Sequence, residues 1–323
     1  MKQIEMMRGA KKMLDECMAV KKGENVLILL DTSMPLSIAE TLAMACRERE
    51  AEPTIIMMSP VPVDGNDPPP PVAEAMQKAQ VIFLGSRGIF HSPSRIRASH
   101  AGARSLTIVG FTEEDMFRGM IEVDFLQAKE VSERVANALR KAKEARITTP
   151  AGTDLTLDLR ERLERIITMT GVYHHPGEGG SLSLEVAISP RLDAAQGVIV
   201  CDASTTLLRP GLIQEPVRMT VRNGVVTEIS GGNEARKISE LLAATRDRSV
   251  YKVVELGIGL NPKATMTGSH KDKAMYGTCH IGIGSNIAWG GEIKAAAHSD
   301  FIMYAPKIDL DGKTLLENYQ LSL

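Results

Sequence analysis

Aromatic side chains make up only 4% of the 323 residues, with a single tryptophan. Aliphatic residues and 17 methionines must therefore fill the interior, the latter suited to irregular gaps. Cysteine is scarce too. Cys17, Cys46, Cys201 and Cys279 stand far apart and form no CxxC pair, which points to free thiols in a reducing compartment, the cytoplasm being the expected location. Neither sign of charge dominates: 38 basic and 40 acidic residues give a net charge of -2, spread without blocks, so no nucleic-acid footprint is present. No apolar run is long enough to span a bilayer, and no membrane partner is expected. The opening MKQIEMMRGAKKMLDECMAV interrupts its apolar residues with charges at helical spacing, unlike a signal peptide. Nor does a GxSxG elbow, a Walker A loop or a GxGxxG turn occur in the strand–turn–helix context each requires.

What is present divides into two textures. From residue 25, ENVLILL, SIAETLAMACRERE and PTIIMMSP alternate short apolar runs with an amphipathic helical pattern, which is a βαβ unit. VAEAMQKA, QVIFLGS, SRIRASHAGA, SLTIVGF and a helix near VSERVANALRKAKEA continue the series; DPPPP at 67–71 is expected as an exposed loop between elements. After about residue 146 the text becomes strands such as SLSLEVAISP, GVIVCDAST and VRMTVRNGVVTEISGG, with hairpin turns at Asn223-Gly224 and Asp311-Gly312 and one helix over about 233–247. The expected class is an α/β N-terminal domain with a doubly wound parallel sheet, residues 1–145, followed by a β-rich α+β C-terminal domain, residues 146–323.

The chemistry concentrates in the second half. His298 and Asp300 are two apart, so on an extended strand both point to one face. His280 lies eighteen residues earlier, in the glycine-punctuated strand YGTCHIGIGS, where close backbone approach is expected. Glu255 in KVVELGIGLNPKA and Glu185 in SLSLEVAISP are single acids on otherwise apolar strands. Each is costly to bury without a cation, the alternative being an outward-facing position. Two histidines and three carboxylates form a mixed nitrogen and oxygen set suited to one or two divalent ions such as Zn, Mn, Co or Fe. Any carboxylate in such a cluster can bind metal or accept a proton, so the general base stays unassigned.

The linked segments ELGIGLNPKA, DKAMYGTCHIGIG and GGEIKAAAHSD resemble the C-terminal signature of the M29 aminopeptidase family, the aminopeptidase T group, and SLEVAISPRLDAAQGVIVCD resembles that family's upstream ligand segment. The resemblance implies metal ligands at Glu185, Glu255, His280, His298 and Asp300. It also implies a homodimer and a metallohydrolase that cleaves a peptide or amide bond with metal-activated water. The family's functional tyrosine falls near Ile287, where this chain has none, leaving Tyr276 or Tyr173 as stand-ins. A related branch, the 2,5-dihydroxypyridine 5,6-dioxygenases, implies the alternative of an Fe(II) ring-cleaving enzyme with a ligand set of two histidines and an aspartate. In that branch a histidine stands where this chain has Glu255, while the positions of Glu185 and His280 are not ligands. On that comparison the peptidase type is expected here, with a non-catalytic metal-binding scaffold as a further alternative.

Three other features complete the expectations. GSRGIFHSPSRIRASH follows a strand and offers His91 as a substrate contact, against a plain capped helix start at Ser92-Pro93. Tyr173 to Gly180 is glycine-rich and reads as a mobile loop near the site. Asp272 is expected to orient a ligand imidazole from behind.

Overall fold

The computed structural model describes residues 2–61, 65–161, 166–287 and 291–323. Contacts within the chain group it into two units, one of Met1–Lys129 with Met169–Leu182, the other of Glu130–Thr168 with Ser183–Leu323. The chain therefore passes between units more than once, and a single cut at 145 does not describe it.

The first unit is built on five parallel strands in the order Glu52–Met58, Asn25–Asp31, Val81–Gly85, Arg104–Thr107 and Gly179–Ser181. Strand Asn25–Asp31 is buried from its second residue onward, as a strand covered on both faces must be. Leu27 and Leu29 enter a core with Val72 and Met76 of helix Pro70–Lys78 and with Ala98 of helix Pro93–His100. Helix Leu36–Glu48 also packs on Asn25–Asp31. Of DPPPP, only the first part is loop: Pro70 and Pro71 open the helix, where a missing N–H is harmless. The stretch expected as a mobile loop near the metal site instead leads into the fifth parallel strand: Ser105, Leu106 and Thr107 pair with Gly179, Gly180 and Ser181.

The second unit holds two sheets whose described pairings are antiparallel. Eight strands run in the order Val225–Ser230, Val217–Arg222, Gln196–Cys201, Asp154–Asp158, Glu144–Thr148, Lys307–Leu310, Lys313–Glu317 and Gln320–Leu321. The expected turns are present: Asn223 and Gly224 have φ of 49° and 71°, and Asp311 and Gly312 have 48° and 79°, the left-handed pair that matches strand twist in a two-residue hairpin. The other sheet has six strands, in the order Ser204–Thr205, His298–Met303, Cys279–Gly284, Val253–Gly259, Glu185–Ile188 and Ile166–Met169. Its three central strands, His298–Met303, Cys279–Gly284 and Val253–Gly259, are almost wholly buried. All four cysteines are free and buried. Among the described residues no helix is long and apolar enough to cross a membrane.

Candidate metal centre

Four neighbouring strands of the six-stranded sheet carry the five acids and imidazoles singled out by the sequence. In an antiparallel pair, residues directly opposite one another project from the same face. Glu255 stands opposite Gly282, which stands opposite Asp300; Gly257 faces His280, Gly284 faces His298 and Gly259 faces Glu185. Residues two apart along a strand share that face as well. Glu185, Glu255, His280, His298 and Asp300 thus rise from one side of the sheet.

The glycines leave the room they need. A Cβ on Gly257 would lie 2.0 Å from Cε1 of His280, and one on Gly282 would lie 2.8 Å from both Glu255 Oε2 and His298 Cε1. Any side chain at either position would occupy the volume of a ring or a carboxylate.

His298 Nε2 lies 2.8 Å from Asp300 Oδ1 and 3.1 Å from Glu255 Oε2. One donor atom from each of these three residues lies within 4.8 Å of the others. His280 Nε2 flanks the group, 3.5 Å from Glu255 Oε1. Glu185 connects to it through a cation: Lys273 Nζ is 3.1 Å from Glu185 Oε1 and 3.9 Å from Asp300 Oδ2. The structure therefore gathers Glu255, His298 and Asp300 tightly, places His280 beside them, and pairs Glu185 with a lysine.

Backbone groups fix the orientation of the central pair. His298 Nδ1 donates to the Ser285 carbonyl at 2.9 Å, which turns Nε2 toward the acids. The Asp300 N–H donates to Thr206 Oγ1, and Thr205 Oγ1 donates to the Asp300 carbonyl, both at 2.8 Å.

Burial alone would favour protonated acids and neutral bases here. It pushes Glu255 upward, but attraction to His280 and His298 outweighs it and holds the carboxyl below its ordinary range. Asp300 is likewise held down against burial by His298 and Lys273. Burial pushes His298 down, yet Asp300 and Glu255 raise it to about 10. His280 and Lys273 are also raised against burial, His280 by Glu255 and Asp300, Lys273 by Glu185 and Asp300. Opposite charges thus work against burial at every member of the cluster, lowering the acids and raising the bases.

Whether a cation suits this set is decided by what the protein leaves unmet. Glu185 Oε2, Glu255 Oε2 and both ring nitrogens of His280 are buried without a hydrogen bond, an uncommon condition for buried polar atoms. Carboxylate oxygens and an imidazole nitrogen that lack partners are the donors a first-row divalent ion takes up. The residues fit such an ion.

Other expected contributors have contacts of their own. Asp272 is buried, but its Oδ1 accepts from the Thr267 N–H and hydroxyl at 2.8 and 2.9 Å, and its Oδ2 from the Gly268 N–H at 2.8 Å. It pins a turn and does not orient an imidazole. Tyr173 belongs to the first unit and donates its hydroxyl to the Ser181 carbonyl at 2.8 Å. His91, also in the first unit, sets its ring edge-on to Phe90, and the next residue, Ser92, caps helix Pro93–His100 by accepting from the Arg95 N–H. Ile287 is 49% exposed, and residues 288–290 lie outside the described part of the chain. Lys273 was missed by sequence reasoning, because a lysine between Asp272 and Ala274 in a polar turn reads as solvated.

Comparison with known proteins decides between the two branches. Over 259 residues the chain is 25% identical to the 2,5-dihydroxypyridine 5,6-dioxygenase of Pseudomonas putida, covering 76% of this chain and 71% of that protein. The solved structure of 2,5-dihydroxypyridine dioxygenase from Pseudomonas putida aligns with a TM-score of 0.88 at 20% identity, over 99% of this chain and 97% of that one. AmpT from Thermus thermophilus aligns over the full length of both chains with a TM-score of 0.71 at 15% identity, a likeness of fold.

The family described as NicX, 2,5-dihydroxypyridine 5,6-dioxygenase, matches residues 5–322. That match overturns the expected M29 membership and, with it, the metallohydrolase of aminopeptidase type. The error has a physical source: acids and imidazoles on adjacent strands report a cation, not the reaction it serves. With the match spanning nearly its whole length, the chain belongs to the NicX, or 2,5-dihydroxypyridine 5,6-dioxygenase, family.

Proposed function

We propose that the chain is a ring-opening dioxygenase of a hydroxylated N-heterocycle of the 2,5-dihydroxypyridine type, working with Fe(II) held by Glu255, His298 and Asp300. The observation that carries this reading is the convergence of those three side chains within 4.8 Å in a chain matched by the dioxygenase family over residues 5–322. Ferrous iron, when bound, would supply an open-shell redox centre that lets dioxygen react with a closed-shell ring, the electrons coming from the ring itself, a task beyond any side chain here.

The chain's own residues prepare the site. Ser285 holds His298 in the tautomer that offers Nε2 to the ion. Thr205 and Thr206 fix the backbone of Asp300. Gly257 and Gly282 keep the volume between the strands clear of side chains. His298 retains 22% of its side-chain exposure, against 3% for Glu255 and 5% for Asp300, so substrate approaches from the His298 side. Relative to the two-histidine set implied by the resemblance, Glu255 contributes one more negative charge.

Protein purified without oxygen, loaded with Fe(II) and mixed with 2,5-dihydroxypyridine in an oxygen-electrode cell tests the proposal. Oxygen uptake matched to loss of the pyridine absorbance is expected, with none from Zn-loaded protein. No uptake from the iron-loaded protein contradicts it.

A further inference from the structure

Three buried carboxylates, Glu185, Glu255 and Asp300, share one face of the six-stranded sheet. Buried charges persist only when paired or metal-bound. One divalent ion neutralises two of the three. The charge left over is met by Lys273, whose Nζ stands 3.1 Å from Glu185 Oε1 and 3.9 Å from Asp300 Oδ2. A second divalent ion would instead leave the pocket with surplus positive charge beside that ammonium.

Asp300 is divided accordingly. Its Oδ1 faces His298 and the three-residue cluster, and its Oδ2 faces the lysine. Glu185 is outside that cluster and has its Oε1 against the ammonium.

The position of the lysine is built into the fold. Lys273 sits on the short helical turn His270–Ala274, where Ser269 accepts from the Lys271 N–H and Asp272 binds Thr267 and Gly268. Gly259 lets this turn lie against the sheet, since a Cβ there would come 2.2 Å from the Met275 carbonyl oxygen and 2.8 Å from that of Lys273.

We propose that Lys273 is the residue that keeps a second divalent ion out of this centre: its ammonium, set against Glu185 Oε1 and facing Asp300 Oδ2, occupies the place such an ion would take. This rests on the reading that Glu255, His298 and Asp300 bind a divalent ion, but not on which reaction follows.

Metal stoichiometry tests it without recourse to turnover. Apo-protein is dialysed to equilibrium against Mn(II) and its metal content per chain measured for the wild type, Lys273→Met, Lys273→Arg and Glu185→Gln. One ion is expected in the wild type and in Lys273→Arg, and two in Lys273→Met, where Glu185 and Asp300 are released to a second ion. Two ions in the wild type, or one in folded Lys273→Met, overturns the proposal. Should Lys273→Met fail to fold, Glu185→Gln decides. One ion bound with affinity within about a hundredfold of the wild type, the most that loss of an outer partner costs, supports the assignment, and a larger loss makes Glu185 a ligand and contradicts it. One ion without oxygen uptake would sink the dioxygenase reading alone; two ions with oxygen uptake would sink the role of Lys273 alone.

Discussion

His298 Nε2 and Asp300 Oδ1 lie 2.8 Å apart, two residues along the same strand, and the other ring nitrogen of His298 is tied to the Ser285 carbonyl at 2.9 Å. The extended backbone brings the pair to one face and the carbonyl sets the ring. Strand and carbonyl together set the direction of both side chains.

Replacing His298 by alanine is therefore expected to lower affinity for Fe(II) or Mn(II) by about a hundredfold or more, while far-ultraviolet circular dichroism stays that of the wild type. Equilibrium dialysis measures the first and spectroscopy the second. Wild-type affinity in this variant would remove His298 from the ligand set.

Gly282→Ala places a methyl group 2.8 Å from Glu255 Oε2 and His298 Cε1. The strands must part or the two side chains must turn. A stability loss of about 1–3 kcal/mol is expected from overpacking, with weaker metal binding than the stability change alone explains. Urea titration of the apo-protein and dialysis against Mn(II) separate the two effects.

How much of this was legible in the sequence follows from the physics of each element. Alternation and Asn-Gly or Asp-Gly turns marked the antiparallel strands, because side-chain period and left-handed φ are local properties. Strand Gly179–Ser181 was hidden, since Tyr173 to Gly180 has the composition of a loop and becomes a strand only through pairing with Arg104–Thr107. The five acids and imidazoles were found as donors, since a lone charge on an apolar strand needs a reason. Their division was not: that Glu185 faces Lys273, and that Asp272 serves a turn, depends on contacts no spacing rule encodes. The reaction is misread because Glu185, Glu255 and His280 match the peptidase donor set, and a donor set reports a cation and not the chemistry it serves, as the family match over residues 5–322 shows.

Asp272→Ala removes a buried acceptor from the Thr267 N–H, the Thr267 hydroxyl and the Gly268 N–H. A loss of about 2 kcal/mol or more is expected, seen as a lower thermal midpoint. A midpoint unchanged from the wild type would mean that the turn carrying Lys273 is held by other contacts.

The four buried thiols are expected to resist modification. Burial raises all of them, Cys46 to about 12, so at pH 8 almost no reactive thiolate is present and reactivity rises only as pH climbs toward that value. Native protein treated with a disulfide reagent at pH 8 should release almost no chromophore, and denatured protein four equivalents, one for each free cysteine. Rapid native labelling would contradict the burial.

Filling the centre should stabilise the fold, because an ion that binds only the folded state shifts the equilibrium by mass action. At a free concentration about a thousand times the dissociation constant the gain is about 4 kcal/mol. Calorimetry of apo-protein with and without Mn(II) reads it as a raised midpoint that a chelator reverses. An unchanged midpoint would mean that the centre does not bind the ion.

At stake is whether this centre inserts oxygen into a hydroxylated pyridine ring. Turnover of 2,5-dihydroxypyridine by Fe(II)-loaded protein under ¹⁸O₂, followed by mass spectrometry of the product, tests it most directly. A ring-opened product that carries both atoms of the labelled dioxygen is expected. A product without label, or substrate recovered intact while Fe(II) remains bound, would contradict it.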